Sequence, residues 1–195
     1  MRKYLKVVLL LLLSTMLTSC SLMSSQDLSN IPEEVQLLDT TTGHTLYIGM
    51  KKKEISSKKL VKVKDIVESD KLLKSYQYEG INMKFYDNIL VFMHISDTSE
   101  KGRFETKGLG IGSDVLEIKS VYRHMPLYNP AFNNHSYVIS KEDLHYFESL
   151  TELQEQDRSD PQFYMLDFNI DEHNKIRSFS LYDDKYVVGT MGYIE

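Results

Sequence analysis

Ten residues of this chain occur twice in recognisable form. Setting Leu46-Tyr47-Ile48-Gly49-Met50-Lys51-Lys52-Lys53-Glu54-Ile55 over Leu109-Gly110-Ile111-Gly112-Ser113-Asp114-Val115-Leu116-Glu117-Ile118 aligns five identities at a constant offset of 63 residues (109 less 46). An internal repeat constrains a fold strongly, because each copy builds one supersecondary unit and buries its apolar face against its neighbour. After the first copy, residues 61–74 are charged and partly helical in pattern. Tyr76-Gln77-Tyr78, Ile81-Asn82-Met83-Lys84-Phe85 and the apolar run at residues 89–95 then read as strands, with Asp87-Asn88 as a hairpin turn. After the second copy, residues 140–158 read as a helix with Ser140 as N-cap and Leu144, Phe147 and Leu150 on one stripe. Residues 162–170 alternate, with Tyr164, Leu166, Phe168 and Ile170 on one face. A turn at residues 171–175, a returning strand at 176–182 and a further short strand at Tyr186-Val187-Val188 complete the pattern. The expected fold class is therefore α+β: helices packed on an antiparallel sheet, in two tandem helix-plus-hairpin repeats at residues 41–103 and 104–195.

Within the second copy, Gly112 allows an unusual turn, Ser113 is placed to cap a helix beginning at Asp114, and Leu109 and Ile111 to pack as a staple. The run from Phe104 to Asp114, with Val115, Ile118 and Val121-Tyr122 after it, resembles a pattern of exported bacterial proteins with a beta-lactamase-inhibitor-protein-like fold, shared by the small protein A type of outer-membrane-assembly lipoproteins. The resemblance is close at residues 104–122 and loose over 43–195. It implies helical segments on one face of an antiparallel sheet, and binding rather than catalysis. Arg123 departs from the pattern where Gly usually follows Tyr122, and Met50 departs from it in the first copy.

The amino terminus reads as an address. Met1-Arg2-Lys3-Tyr4-Leu5-Lys6 is basic, residues 7–13 are unbroken apolar, and small and polar residues lead to Leu17-Thr18-Ser19-Cys20. That is the order of a secretory signal at residues 1–19, and its apolar run is shorter than the roughly 20 residues a spanning helix needs. Leu17-Thr18-Ser19-Cys20 resembles the lipobox of bacterial lipoproteins, which implies lipidation of Cys20. The chain has one Cys, and it stands at this position. Residues 20–40 follow as a polar, lipidated tether. Residue 21 is Ser, which departs from the Asp that resembles an inner-membrane retention signal. The expected location is the extracytoplasmic side of a bacterial cell membrane, inner or outer.

Charge removes another class of function. The chain carries 23 Lys and Arg against 28 Asp and Glu; loss of Arg2, Lys3 and Lys6 with the signal moves the net from -5 to -8. An acidic protein of this kind has no general affinity for nucleic-acid phosphates and should stand off an anionic lipid surface. The glycines at 108, 110 and 112 match neither a Rossmann fingerprint nor a P-loop. Asp167-Phe168-Asn169-Ile170-Asp171 imitates the start of an EF-hand loop, but Glu172 stands where Gly is required. The six histidines show no metal-ligand spacing. No metal or other cofactor is expected, and no catalytic residues are assigned.

The segment at residues 122–137 combines Pro126, Pro130 and three Asn with Tyr122, Arg123, Tyr128, Phe132 and Tyr137, residue types enriched at interfaces. These five are the candidate partner-binding residues; the competing expectation is that their rings tuck under the loop into the core. The functional expectation is a lipid-anchored, non-enzymatic envelope protein that binds another envelope protein or a peptide through its sheet or this loop. The alternative is an exported hydrolase or small-ligand-binding lipoprotein using scattered Asp and His.

Overall fold

The computed structural model of the chain describes Leu28 and residues 31–68, 70–124, 126–129, 133–154 and 162–187. Two units divide the chain, Met1–Asn30 and Ile31–Glu195. The lipobox and Cys20 lie outside the described residues, so the fold concerns the second unit.

Among the described residues thirteen strands make two antiparallel sheets. In chain order they are β1 (Gln36–Asp39), β2 (His44–Tyr47), β3 (Leu60–Glu68), β4 (Lys71–Tyr78), β5 (Ile81–Tyr86), β6 (Ile89–Ile95) and β7 (Phe104–Thr106). After them come β8 (Leu109–Gly110), β9 (Leu127–Asn129), β10 (Asn134–Ser140), β11 (Tyr146–Phe147), β12 (Phe163–Ile170) and β13 (Ile176–Asp183). The small sheet has the order β2-β1-β7-β8, and the large one β11-β10-β12-β13-β6-β5-β4-β3 with β9 beside β11 on β10. The α-helices among the described residues are Val115–Tyr122 and the five-residue Leu150–Gln154.

This overturns the α+β expectation. The layer over the main core is mostly a second sheet, not a set of helices, so the fold implied by the inhibitor-like resemblance is not the one formed. Leu37, Leu46, Phe104 and Leu109 of the small sheet, with Ile118 and Tyr122 of the helix, close on Tyr76, Met83, Met93, Tyr137, Phe168 and Leu181 of the large sheet. A second cluster on the other face of the large sheet unites Leu73, Val91, Val138, Met165 and Tyr182 with Phe147, Leu153 and Val187. Burial on both faces explains why β12 reads as a near-continuous apolar run.

Two expected helices are strands, for identifiable reasons. Residues 61–74 hold Val61, Val63, Ile66 and Val67, whose branched side chains favour extended backbone, and Asp70 turns the chain at φ 60. Residues 140–154 are broken by Leu144, which is left-handed at φ 61, and Tyr146–Phe147 then pairs with Val138 and Ile139. The helix that does form there receives its cap from Ser149, whose Oγ accepts the Glu152 N–H at 3.1 Å. Residues 155–158 of the expected helix lie outside the described residues. Residues 184–186 form a turn rather than the start of a strand. The tether expected over residues 20–40 also ends sooner, since Glu33–Val35 is a 3-10 turn, β1 follows it, and Val35, Leu37 and Asp39 are buried.

The 63-residue offset marks a repeated piece of backbone geometry. Gly49 N–H donates to the Leu90 carbonyl at 2.8 Å and Leu90 N–H returns to Met50 at 2.9 Å; Gly112 donates to Ile176 at 2.8 Å and Ile176 returns to Ser113 at 2.9 Å. Lys52 donates to Asn88 and Val115 to Asn174 in the same way, and both Asn residues are left-handed. Each glycine has a positive φ, 99° at Gly49 and 90° at Gly112, where L side chains are strained. The hairpins β1-β2 and β7-β8 meet antiparallel at β1 and β7, and the last strands of the two halves, β6 and β13, meet antiparallel in the large sheet. A local two-fold relation between the halves generates this arrangement.

The halves part at the helix. Asp114 accepts the Leu116 N–H at 2.9 Å while Glu117 accepts the Asp114 N–H at 3.2 Å, a complete capping box. The cap is therefore Asp114, not Ser113, whose Oγ instead accepts the Gly110 N–H. In the first half Lys51 holds the equivalent place with no side-chain cap bond, and the chain makes only the 3-10 turn Lys52–Glu54.

Candidate functional site

The outermost strand of the large sheet on one side is β3, nine residues long and, among the described residues, paired on one edge only, with β4. Among the described residues nine large apolar side chains are exposed, and five of them are Val61, Val63, Ile66, Val67 and Leu72 on this one hairpin. Val61 is 61% exposed, Val63 58%, Val67 72% and Leu72 55%. Their concentration is the informative point, since single exposed apolar residues are ordinary.

The hairpin reaches past the main core, while Leu73 of β4 stays buried in the second cluster. Tyr76 and Tyr78 of β4 pair with Lys62 and Leu60 and lie in the main core, whereas Val67 and Leu72 pair with each other nearer the tip, beyond its cover. A bulge between Lys62 and Asp65 shifts the register, so β3 presents two short extended runs instead of one flat edge. Lys62 meets Asp65 at 3.2 Å and Lys84 meets Glu68 at 2.5 Å. Lysines and bulges are common protection for an open edge, because unpaired N–H and C=O groups otherwise template indiscriminate pairing.

The charge here opposes that of the chain. Residues 51–74 contain nine lysines and four acidic residues, a local +5 in a chain of net -5, leaving -10 on the remainder. The lysine run at 51–53 is the start of this basic strip. Sequence reading passed over the edge because Val61-Lys62-Val63-Lys64 was absorbed into a helical pattern; its strict two-residue alternation was the available signal.

Of the residues selected from sequence, only Tyr122 and Tyr137 are shown brought together, and they lie away from β3. Tyr122 and Tyr137 are buried, stacked at 4.6 Å between ring centroids. Burial raises the Tyr122 phenol well above its usual range and pushes Tyr137 up to about 12. Both are core residues. Arg123 is exposed and ends the helix in a left-handed conformation, φ 55, taking the role a Gly usually has. Tyr128 is 52% exposed on β9 and its hydroxyl donates to Asn133 at 3.2 Å. Phe132 lies outside the described residues.

Beside the tyrosine pair, Glu34 accepts from the Tyr146 hydroxyl at 2.7 Å and from Lys107 Nζ at 2.9 Å. Burial opposes its charge, but these two donors outweigh it and hold the carboxyl below its ordinary range. The cluster ties the entry of the folded unit to β11 and to the turn between β7 and β8, a structural role.

A nucleophile-and-base contact is also present. His94 Nδ1 and Ser180 Oγ lie 2.9 Å apart across paired strands, and burial lowers the His94 pKa, which favours the neutral ring. The contact sits on two central strands, whose backbone N–H groups are committed to the ladder. Acyl transfer needs donors aimed at a developing oxyanion, and a laddered sheet face does not free them. Asp167 of the EF-hand-like run accepts the Tyr182 hydroxyl at 2.7 Å from a buried strand position, and Asp171 accepts two backbone N–H groups in the following turn. Comparison of the chain with known protein families, with curated proteins and with solved structures finds no match.

Proposed function

We propose that this chain is a lipid-anchored protein of the bacterial cell envelope, attached through Cys20, that acts as a non-enzymatic binding module and takes an extended segment of another envelope protein on the open edge of β3. The observation that carries the reading is the nine-residue strand with one edge unpaired among the described residues and its cluster of exposed valines. An added strand gains affinity from main-chain hydrogen bonds and specificity from alternate side chains. The buried positions of Tyr122 and Tyr137 favour the sheet over the loop as the binding surface.

A photoreactive residue at position 63, compared with one at exposed position 142, tests the docking surface in intact cells. A discrete adduct at 63 that disappears in the Lys62→Glu, Lys64→Glu double variant is expected; equal labelling at 63 and 142 overturns the reading. The anchor is tested separately. Cys20→Ala should release the protein from the membrane fraction and remove the mass of the acyl groups, and an unchanged mass and location would refute lipidation.

A further inference from the structure

The β3 edge also carries information about the chemistry of its occupant. Around it the acids are matched: Asp65 is held by Lys62 and Glu68 by Lys84. Lys64 in the bulge and Lys74 on the neighbouring strand have no ionic partner among the described residues, and Lys51, Lys53 and Lys58 precede the strand in the same condition. Apolar groups are interleaved with these cations on both faces, Val61 and Ile66 on one and Val67 with Leu72 on the other.

Resting on the reading of β3 as a docking edge, we propose that its occupant is an acidic, alternating extended peptide segment of a protein partner. Its carboxylates would lie on the face that carries Lys62 and its apolar side chains on the opposite face, against Val61 and Ile66. Cross-strand pairs of opposite charge stabilise such a ladder, and like charges directly opposite weaken it. That rule also disfavours a second copy of this chain on the same edge, because full-length antiparallel pairing of β3 with itself sets Lys64 directly opposite Lys64 and brings no acid to Lys62, which meets Ile66. An extended peptide is favoured over an anionic bilayer because β3 offers a row of ladder hydrogen-bonding groups that a strand satisfies and a headgroup layer does not. The bulge, unfavourable for indiscriminate pairing, lets the edge choose by charge.

The test uses the full chain purified in detergent and three synthetic ten-residue probes, alternating Val with Glu, with Gln or with Lys, besides phosphatidylglycerol vesicles. Hydrogen exchange of β3 amides reports strand addition directly. The Glu probe should slow exchange in β3 and bind about fivefold tighter than the Gln probe at low salt, the preference shrinking toward unity near 1 M salt. The Lys62→Glu, Lys64→Glu variant should exchange that preference for the Lys probe. Equal protection by the Glu and Gln probes would overturn the charge assignment while leaving β3 a docking edge. Protection by vesicles and by none of the probes would overturn the peptide itself, and absence of any β3 protection, with no adduct at position 63 in cells, would remove the docking reading too.

Discussion

The two ends of the large sheet occupy related places in the two halves and are finished in opposite ways. Outside β10 the position is divided between two short strands, β9 and β11, and Tyr137, Val138, Ile139 and Phe147 are all buried there. Outside β4 the same position is taken by one long strand whose valines face water. One end is sealed by aromatic packing and a half-buried Tyr–Glu contact, the other is left open and guarded by lysines and a bulge. The difference separates residues kept for stability from residues free to bind, and substitution can test that division.

The largest effect is expected at the sealed end. Tyr137→Ala removes a fully buried ring and should destabilise the fold by about 3–5 kcal/mol in urea unfolding. Tyr137→Phe should stay within about 0.5 kcal/mol, because the hydroxyl makes no hydrogen bond to the described protein. A Tyr137→Ala protein of near-normal stability would erase the contrast between the ends.

Next is the clamp that joins β1 to the β4-β5 turn. Arg103 meets Asp39 at 3.2 Å and Glu79 at 3.0 Å, and the Asp39 side chain is fully buried. Burial opposes the Asp39 charge, but the Arg103 guanidinium with Thr42 and the Thr41 N–H outweighs it and holds the carboxyl below its usual range. Arg103→Ala should cost about 3 kcal/mol at pH 7 by leaving that carboxylate without its partner. A carboxylate with a depressed folded pKa adds stability above its unfolded pKa of about 3.9, and the gain is lost as pH falls through the folded value. The gap between wild type and Arg103→Ala should therefore close below about pH 4; a gap constant from pH 7 to 3 would show that charge is not its source.

A smaller effect should separate the halves at their helix starts. Asp114→Ala removes the capping box and should cost about 1 kcal/mol, whereas Lys51→Ala in the first half should change stability by less than about 0.5 kcal/mol, no cap being present to lose. Equal losses in thermal unfolding would mean that the cap does not explain why only the second half forms the longer helix.

The smallest stability effect belongs to the open end. Val63→Thr with Val67→Thr should leave unfolding within about 0.5 kcal/mol of wild type while weakening probe binding in the exchange experiment. Destabilisation by more than about 2 kcal/mol would make these valines part of the core.

Much of this architecture was legible locally. The turns at Asp87-Asn88 and at residues 171–175, the strands around Met83, Met93, Phe168 and Phe179, and a helix beginning near Asp114 all follow from alternation, left-handed Asn and capping, which are short-range properties. The helix over residues 140–158 was not, because its apolar spacing fits a helix until Leu144 is placed left-handed and Tyr146–Phe147 is claimed by β10. The same holds for residues 61–74, where charges four apart imitate a helix face while branched side chains and β4 draw the chain extended.

The candidate site divides in the same manner. The interface-like composition around Tyr122 and Tyr137 described residues correctly as large and amphipathic, but composition does not say which side of a sheet covers them. Sequence alone determined the two-copy grammar, the acidic balance with its basic strip, and the position of the single Cys, since each is a property of order along the chain. Only the tertiary structure decided that the second layer is a sheet, that Tyr122 and Tyr137 are core, and that β3 has no outer neighbour among the described residues. Those outcomes depend on which surfaces distant segments compete to cover, and that competition is settled in three dimensions.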